Sequence, residues 1–300
     1  MERRTFGRTG LQVSVLGFGA AELGFDQGVT DARVAALLHP ALDGGLNVID
    51  TASAYLASEQ LIGRALVGRR EGVLLFSKCG KTDGFKRNDW SAAGMRAQVE
   101  HSLKALRTDH LDLLQLHSCG LDVLKKGEAI DTLEALRREG KTRLIGYSGD
   151  GPNAVWAVKC GRFDALQTSI NVADQRVLGE ALPLAVAAGM GVIAKRPVAN
   201  VVWKYGTTLP PDAYHHSYWE RMRRLDFDFT RRQLSESVEI ALRFTLSQPG
   251  VATAIVGTSS PGRWQENAAV VAKGPLPAEF VMALRARWAE REEPGWTGQQ

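Results

Sequence analysis

Short apolar runs alternate with segments of helical period along most of the chain. Runs at 13–19, 46–49, 73–76, 111–116, 143–147, 165–170, 191–194 and 252–256 are strand-length and bounded by glycine or polar residues. Between them apolar residues fall three or four apart. Met95, Val99, Leu103 and Leu106 follow Ser91, a suitable N-cap. Ile130, Leu133 and Leu136 repeat similarly and stop at Gly140, a residue type that tolerates the left-handed position after a helix. Leu234, Val238, Ala241 and Leu242 do the same before Pro249. Pro40 lies inside the first helical pattern, which predicts a helix that kinks or starts later than Asp31.

Strands joined by helices are parallel neighbours linked by right-handed crossovers. An open doubly wound sheet and a closed (β/α)8 barrel both satisfy this rule. An open dinucleotide fold would place GxGxxG after its first strand. Here that strand leads into Gly17-Phe18-Gly19-Ala20-Ala21-Glu22-Leu23-Gly24, which lacks the spacing. The eight strand runs favour a single (β/α)8 TIM barrel over residues 1–300. Residues 4–13, with turns at Gly7 and Thr9-Gly10, predict an N-terminal β-hairpin cap. After the seventh strand, residues 197–231 lack a clean period but carry Trp203, Tyr205, Tyr214, Tyr218 and Trp219. A long aromatic loop on a barrel predicts a lid or pocket wall. Phe280, Leu284 and Trp288 predict a C-terminal helix over about 277–291, with a frayed tail from Glu292.

Composition narrows the class. A chain of 300 residues holds two ordinary domains or one barrel. With 44% apolar and 23% charged residues it is not a disordered, collagenous or coiled-coil sequence. No apolar stretch approaches the ~18 residues of a membrane span, and Met1 to Phe6 lack a signal-peptide core, so a cytoplasmic protein with no membrane partner is expected. The net charge of +4 is mild. The densest basic cluster, Arg221, Arg223, Arg224, Arg231 and Arg232, is broken by Asp226 and Asp228 and reads as a solvated face, with no nucleic-acid partner. Cys79, Cys119 and Cys160 show no CxxC spacing and read as free thiols of inert packing. The histidines, His215-His216 included, show no metal-ligand spacing at a strand end, so no metal is expected.

In a barrel, reactive side chains collect where strands end and βα loops begin. The second strand ends at Asp50, with Thr51 and Tyr55 beyond. The third ends at Ser77 and Lys78, the fourth at His117, the fifth at Ser148, the sixth at Asn171, the seventh at Lys195 and Arg196. Each of the first four candidates has a bland alternative: a helix cap for Asp50, loop packing for Tyr55, a solvated strand end for Lys78, a structural imidazole for His117. Their convergence on three consecutive strands favours chemistry. A phenol titrates near 10 and is a weak acid at neutral pH; a nearby ammonium favours the phenolate and strengthens the acid. Asp50 supplies the buried lysine's counter-charge. Such a site protonates an oxygen that becomes an alkoxide, as in carbonyl reduction. None of these side chains donates a hydride, so a cofactor is needed. The eighth strand runs into Gly257-Thr258-Ser259-Ser260-Pro261-Gly262-Arg263, a helix start with hydroxyls and a guanidinium that suits a phosphate.

The pattern resembles the aldo-keto reductases. The resemblance runs from Phe6-Gly7-Arg8-Thr9-Gly10-Leu11 to Glu266-Asn267. Its most specific element is Asn47-Val48-Ile49-Asp50-Thr51-Ala52-Ser53-Ala54-Tyr55, followed by Ser58-Glu59 and Ile62-Gly63-Arg64-Ala65-Leu66. Phe76-Ser77-Lys78, Leu113 to His117, Ile145 to Ser148, Gln167 to Asn171 and Arg263 to Asn267 match further segments. The resemblance implies an NADPH-dependent reductase of aldehydes or ketones, or an alcohol dehydrogenase in reverse. Its catalytic tetrad falls on Asp50, Tyr55, Lys78 and His117. Tyr55 would be the general acid, Lys78 would tune it, Asp50 would hold Lys78, and His117 would orient the carbonyl.

For the cofactor, NADPH or NADP+ with NADH possible, Ser148 and Gln167 would bind the carboxamide and Asn171 would support them. Lys195 and Arg196 would lie along it. Gly257, Thr258, Ser259, Arg263, Glu266 and Asn267 would face the adenosine end, with Arg263 on a 2′-phosphate. An NAD-linked sugar dehydrogenase and a nucleotide-sensing regulatory subunit are the alternatives. Three departures stand out: Gly149-Asp150 where Ser-Asn is common after the fifth strand, Gly257 where a basic residue is common, and Lys195-Arg196-Pro197 where an aromatic often stacks on the nicotinamide.

Overall fold

The computed structural model describes residues 1–26 and 28–299. The strands, in chain order, are β1 (Arg3–Thr5), β2 (Gln12–Ser14), β3 (Leu16–Gly19), β4 (Val48–Asp50), β5 (Leu74–Cys79), β6 (Lys81–Thr82), β7 (Arg87–Asn88), β8 (Leu111–His117), β9 (Thr142–Ser148), β10 (Ala165–Ser169), β11 (Gly191–Lys195) and β12 (Val251–Gly257). Eight of them, β3-β4-β5-β8-β9-β10-β11-β12, close into a parallel barrel in which β12 pairs with β3. Helices connect these strands, so the chain is a (β/α)8 TIM barrel. No helix among the described residues is long and apolar enough to cross a membrane.

Alternation along the strands sorts the barrel interior into layers. Successive side chains point to opposite faces, so Val48, Phe76, Leu113, Ala165 and Ile193 form one apolar cluster. Two residues further along each strand stand Asp50, Lys78, Gln115, Gln167 and Lys195, all buried. The strand faces turned outward carry Ile49, Leu75, Leu114, Leu116 and Val192, which join the larger core shared with the helices. Gly146 leaves room in the polar layer: a Cβ there would press on the Gln115 side chain and the Ala165 carbonyl, each at 3.1 Å.

The predicted hairpin is β1–β2, an antiparallel pair. The run at 13–19 is therefore two strands, with a break at Val15 where the chain leaves the cap and enters the barrel. Phe6, at the hairpin turn, is fully buried in the apolar layer, 5.6 Å from the Phe76 ring. Truncating Phe6→Ala is expected to cost about 3–5 kcal/mol, read by urea unfolding, because the plug leaves a cavity among strands that cannot collapse.

Several elements differ from the sequence expectation. The first long helix, Asp31–Asp43, does start at Asp31, capped by the Thr30 hydroxyl, and carries Pro40 in its last turn. Ser91 and Gly140 cap as expected: Ser91 accepts from the Gly94 amide, and Gly140 follows Glu128–Arg138 with positive φ. Residues 197–231 are folded, with 3-10 turns flanking the helix His216–Leu225. Their aromatics mostly pack inward, Trp203 donating to Ser237 and Tyr218 to Asp174. The helix Ala278–Arg291 follows the prediction, but the tail is not frayed. Trp296 is buried against Trp288, and Thr297 accepts from Arg221. Arg221 is accordingly buried rather than solvated, because it spans Ala173, Asp174 and Thr297. The other four arginines of that cluster behave as a surface: Arg224, Arg231 and Arg232 pair with acids and Arg223 lies over Trp219.

Candidate active site

Four strand ends bring the central charges together. Register pairs Asp50 with Phe76, Lys78 with Gln115, and His117 with Ser148, and alternation along β4, β5 and β8 turns Asp50, Lys78 and His117 into the barrel, His117 two residues beyond Gln115. Lys78 Nζ donates to Asp50 Oδ1 and to the Thr51 carbonyl, the latter at 2.9 Å. Both partners of this ion pair are 1% exposed. Burial works against the Lys78 charge, but the Asp50 carboxylate outweighs it and holds the ammonium above the usual lysine value.

The other carboxylate oxygen of Asp50 accepts from Gln167 Nε2 at 2.7 Å and from Gln115 Nε2 at 3.4 Å. Gln167 in turn accepts from Ser148 Oγ at 2.9 Å. A continuous network thus runs from Lys78 through Asp50 and Gln167 to Ser148, crossing the barrel.

Tyr55 stands above this layer in the β4 loop. Lys78 Nζ lies 5.1 Å from its ring centroid, and His117 meets its edge with centroids 5.6 Å apart. Burial pushes the Tyr55 phenol above its ordinary value while Lys78 pulls it down. The phenol is therefore protonated at neutral pH, the state of a proton donor. Burial, reinforced by Lys78, Lys195, Lys81 and Arg196, holds His117 well below the ordinary imidazole value. His117 is thus neutral, and its Nδ1 has no hydrogen-bond partner among the described residues.

Across the same rim, Asp150 gathers the candidates from β11. It lies 2.9 Å from Lys195 and 3.7 Å from Arg196, and accepts from Thr168 Oγ1 and the Ser169 amide. Burial lowers Lys195 to about 8 against the pull of Asp150. Arg196 donates to Ser169 Oγ at 2.7 Å and Tyr214 OH at 2.6 Å, with its own backbone at φ 54°. Asn171 bonds the Arg196 carbonyl and the Ala173 amide, which ties the β10 and β11 loops together.

A second group lies at the end of β12. The helix Arg263–Val271 starts after Gly262 with no side-chain cap, so its first amides are unclaimed by side chains. Thr258 and Ser259 line the loop before it, and the Ser259 carbonyl accepts from Arg33. Arg263 is exposed and pairs with Glu266, while Asn267 is buried. The Gly257 backbone crosses close to Glu22, whose Oε1 would lie 3.2 Å from a Cβ at that glycine. The uncapped helix start, the hydroxyls and the guanidinium fit a phosphate, and the polar rim of β9 to β11 fits the amide end of a dinucleotide.

Several contributors escaped the sequence reading. Gln115 was legible by strand parity, being two residues before His117. Asp150 was visible only as a departure from a pattern. Phe25 and Phe85 flank Tyr55 at 6.2 and 5.9 Å, and Phe85 lies 5.2 Å from His117. They come from the β3 loop and from the β6–β7 hairpin, not from the aromatic segment expected to form the wall. Nothing in the local pattern marks either one. Cys79 and Cys119 are buried, with burial pushing the Cys119 thiol up to about 12, which suits inert packing.

A closed parallel barrel with a lysine–carboxylate pair, a phenol and an imidazole at its C-terminal rim defines an oxidoreductase of the barrel type. The chain belongs to the aldo/keto reductase family, whose model matches residues 15–289. Among curated relatives, the uncharacterized oxidoreductase YqkF of Bacillus subtilis is 30% identical, covering 95% of this chain and 96% of its own. L-galactose dehydrogenase of Arabidopsis thaliana is 30% identical over 90% of this chain and 88% of its own. The holo form of aldo-keto reductase AKR11C1 from Bacillus halodurans superposes with a TM-score of 0.81 at 31% identity, covering 96% of each chain. An aldo-keto reductase from Klebsiella pneumoniae, solved in complex with NADPH, shares the fold at a TM-score of 0.74 and 24% identity, over 98% of this chain and 97% of its own.

Proposed function

We propose that this chain is an NADPH-dependent reductase of aldehydes or ketones with Tyr55 as general acid. The observation that carries the reading is the Lys78 ammonium, fixed between Asp50 and the Thr51 carbonyl directly beneath the Tyr55 ring and beside a neutral His117. NADPH bound with its adenosine end at Thr258, Ser259, Arg263 and Asn267, and its carboxamide near Ser148 and Gln167, would supply the hydride. The chain's own groups manage the other charge. His117 donates to or orients the substrate carbonyl oxygen. Tyr55 gives its proton to that oxygen as negative charge develops. Lys78 stabilises the phenolate left behind, and Asp50 keeps Lys78 charged and in place. Lys195 and Arg196 add positive potential to the same rim, restrained by Asp150.

NADPH oxidation followed by absorbance across aldehydes, ketones and sugar lactones tests the activity. Absence of turnover with every carbonyl overturns it. For the cofactor, Arg263→Ala is expected to raise the Kd of NADPH about tenfold or more while changing that of NADH little, since a charge-assisted contact to the 2′-phosphate is lost only in the first. Equal losses for both would remove Arg263 from that role.

A further inference from the structure

The cations at this rim differ in one respect. Lys78 is neutralised by Asp50, and Lys195 and Arg196 share Asp150. Lys81, the first residue of β6, is partly buried and has no carboxylate within ion-pair distance among the described residues. Asp83, the acid nearest in sequence, pairs with Arg87 across the hairpin instead. The Lys81 ammonium lies 6.0 Å from the Phe85 ring centroid, and that ring is 5.2 Å from His117 and 5.9 Å from Tyr55. Its charge is felt at His117. Burial without a partner pulls Lys81 below the ordinary lysine value, so an arriving anion relieves a standing cost.

The surroundings define the rest of the ligand. Phe25 and Phe85 stack with centroids 6.1 Å apart and planes 11° apart, and both are exposed, as is Leu56. A Cβ at Gly84 would meet Leu56 at 3.4 Å and Phe25 at 3.7 Å, so the three side chains gather as an apolar lip beside Tyr55. Exposed apolar side chains gathered beside a polar site are a common lining of a ligand groove. A hydroxyl-rich molecule would find few hydrogen-bond partners on that lip, whereas an apolar body with a single anionic end would find a wall and a counter-charge.

We infer that Lys81 is a specificity-determining residue that pairs with a carboxylate on the substrate, so that the preferred substrates are carbonyl compounds with an apolar body and an acid group a few bonds from the carbonyl. The inference rests on the reductase reading for its substrate, but the anion site is separable from it. Two measurements keep them apart. First, kcat/KM is compared for 4-oxobutanoate and butanal, which differ in the carboxylate. The wild type is expected to favour 4-oxobutanoate about tenfold or more. Lys81→Met should bring the ratio toward one, and Lys81→Arg should retain most of it.

Second, benzoate binding is measured by calorimetry on the wild type and on Lys81→Met, with NADP+ present and without it. Benzoate is expected to bind the wild type and to lose at least tenfold in affinity on loss of the ammonium. Carbonyl reduction with no carboxylate preference, or a preference that Lys81→Met leaves intact, overturns the anion site and leaves the reductase reading standing. Lys81-dependent benzoate binding without reduction of any carbonyl overturns the reductase reading and leaves the anion site standing. Benzoate affinity equal in wild type and Lys81→Met counts against the inference whatever the kinetics show.

Discussion

Tyr55→Phe is expected to lower kcat by about 10²–10⁴-fold, the range of a positioned general acid, while the Kd of NADPH stays within about twofold. The substitution removes only the phenolic oxygen. The ring stays between Phe25, Phe85 and His117, so the pocket keeps its shape. Stopped-flow absorbance separates the two effects, because fluorescence titration reads binding and single-turnover oxidation reads the proton-coupled step. Substantial residual turnover would assign the proton to another group, with the neutral His117 the first alternative.

Asp50→Ala is expected to be the most destabilising change at the site, by about 3–5 kcal/mol, because it leaves the Lys78 ammonium buried without its partner. Two further donors, Gln167 and Gln115, lose their acceptor at the same time. Activity falls with stability, so the informative variant is the pair Asp50→Ala with Lys78→Met. Removing both charges should recover much of the unfolding free energy, since an uncompensated charge is the main cost, yet leave activity absent. Recovery of stability without recovery of turnover assigns the pair to chemistry. A double variant as unstable as Asp50→Ala alone would place the cost in the glutamine network instead.

The barrel was legible because two signals are written into the sequence: helical spacing between short apolar runs, and turn residues at their ends. Asp50, Lys78 and His117 were legible because each stands at a strand end, where parity fixes the direction of the side chain, whereas Tyr55 in the loop beyond β4 was legible only by its closeness in sequence to Asp50. What stayed hidden depends on distance in the chain. Arg221 reads as one of five basic residues until Asp174 and Thr297 are brought to it, from 47 and 76 positions away in sequence. Phe25 and Phe85 are lone aromatics in separate loops, after β3 and β5, and only the folded sheet stacks them. The tail looks polar and short, and Trp296 gains its partner Trp288 only when the chain turns back on the last helix. Residues 197–231 lack a single period because they mix 3-10 turns with one helix, which periodicity averages away.

The two terminal segments meet the barrel at opposite poles. Phe6 is driven into the end away from the chemistry, while Gly298 lies against Asp150 so closely that a Cβ there would fall 2.0 Å from that residue's own Cβ. Gln299 reaches the Tyr214 carbonyl beside it. The choice of where to attach an affinity handle, a fluorophore or a surface tether is therefore not symmetrical. An attachment at the amino end sits behind the reaction chamber. One beside Gly298 and Gln299 is anchored at its doorway, within reach of the Asp150, Arg196 and Tyr214 cluster.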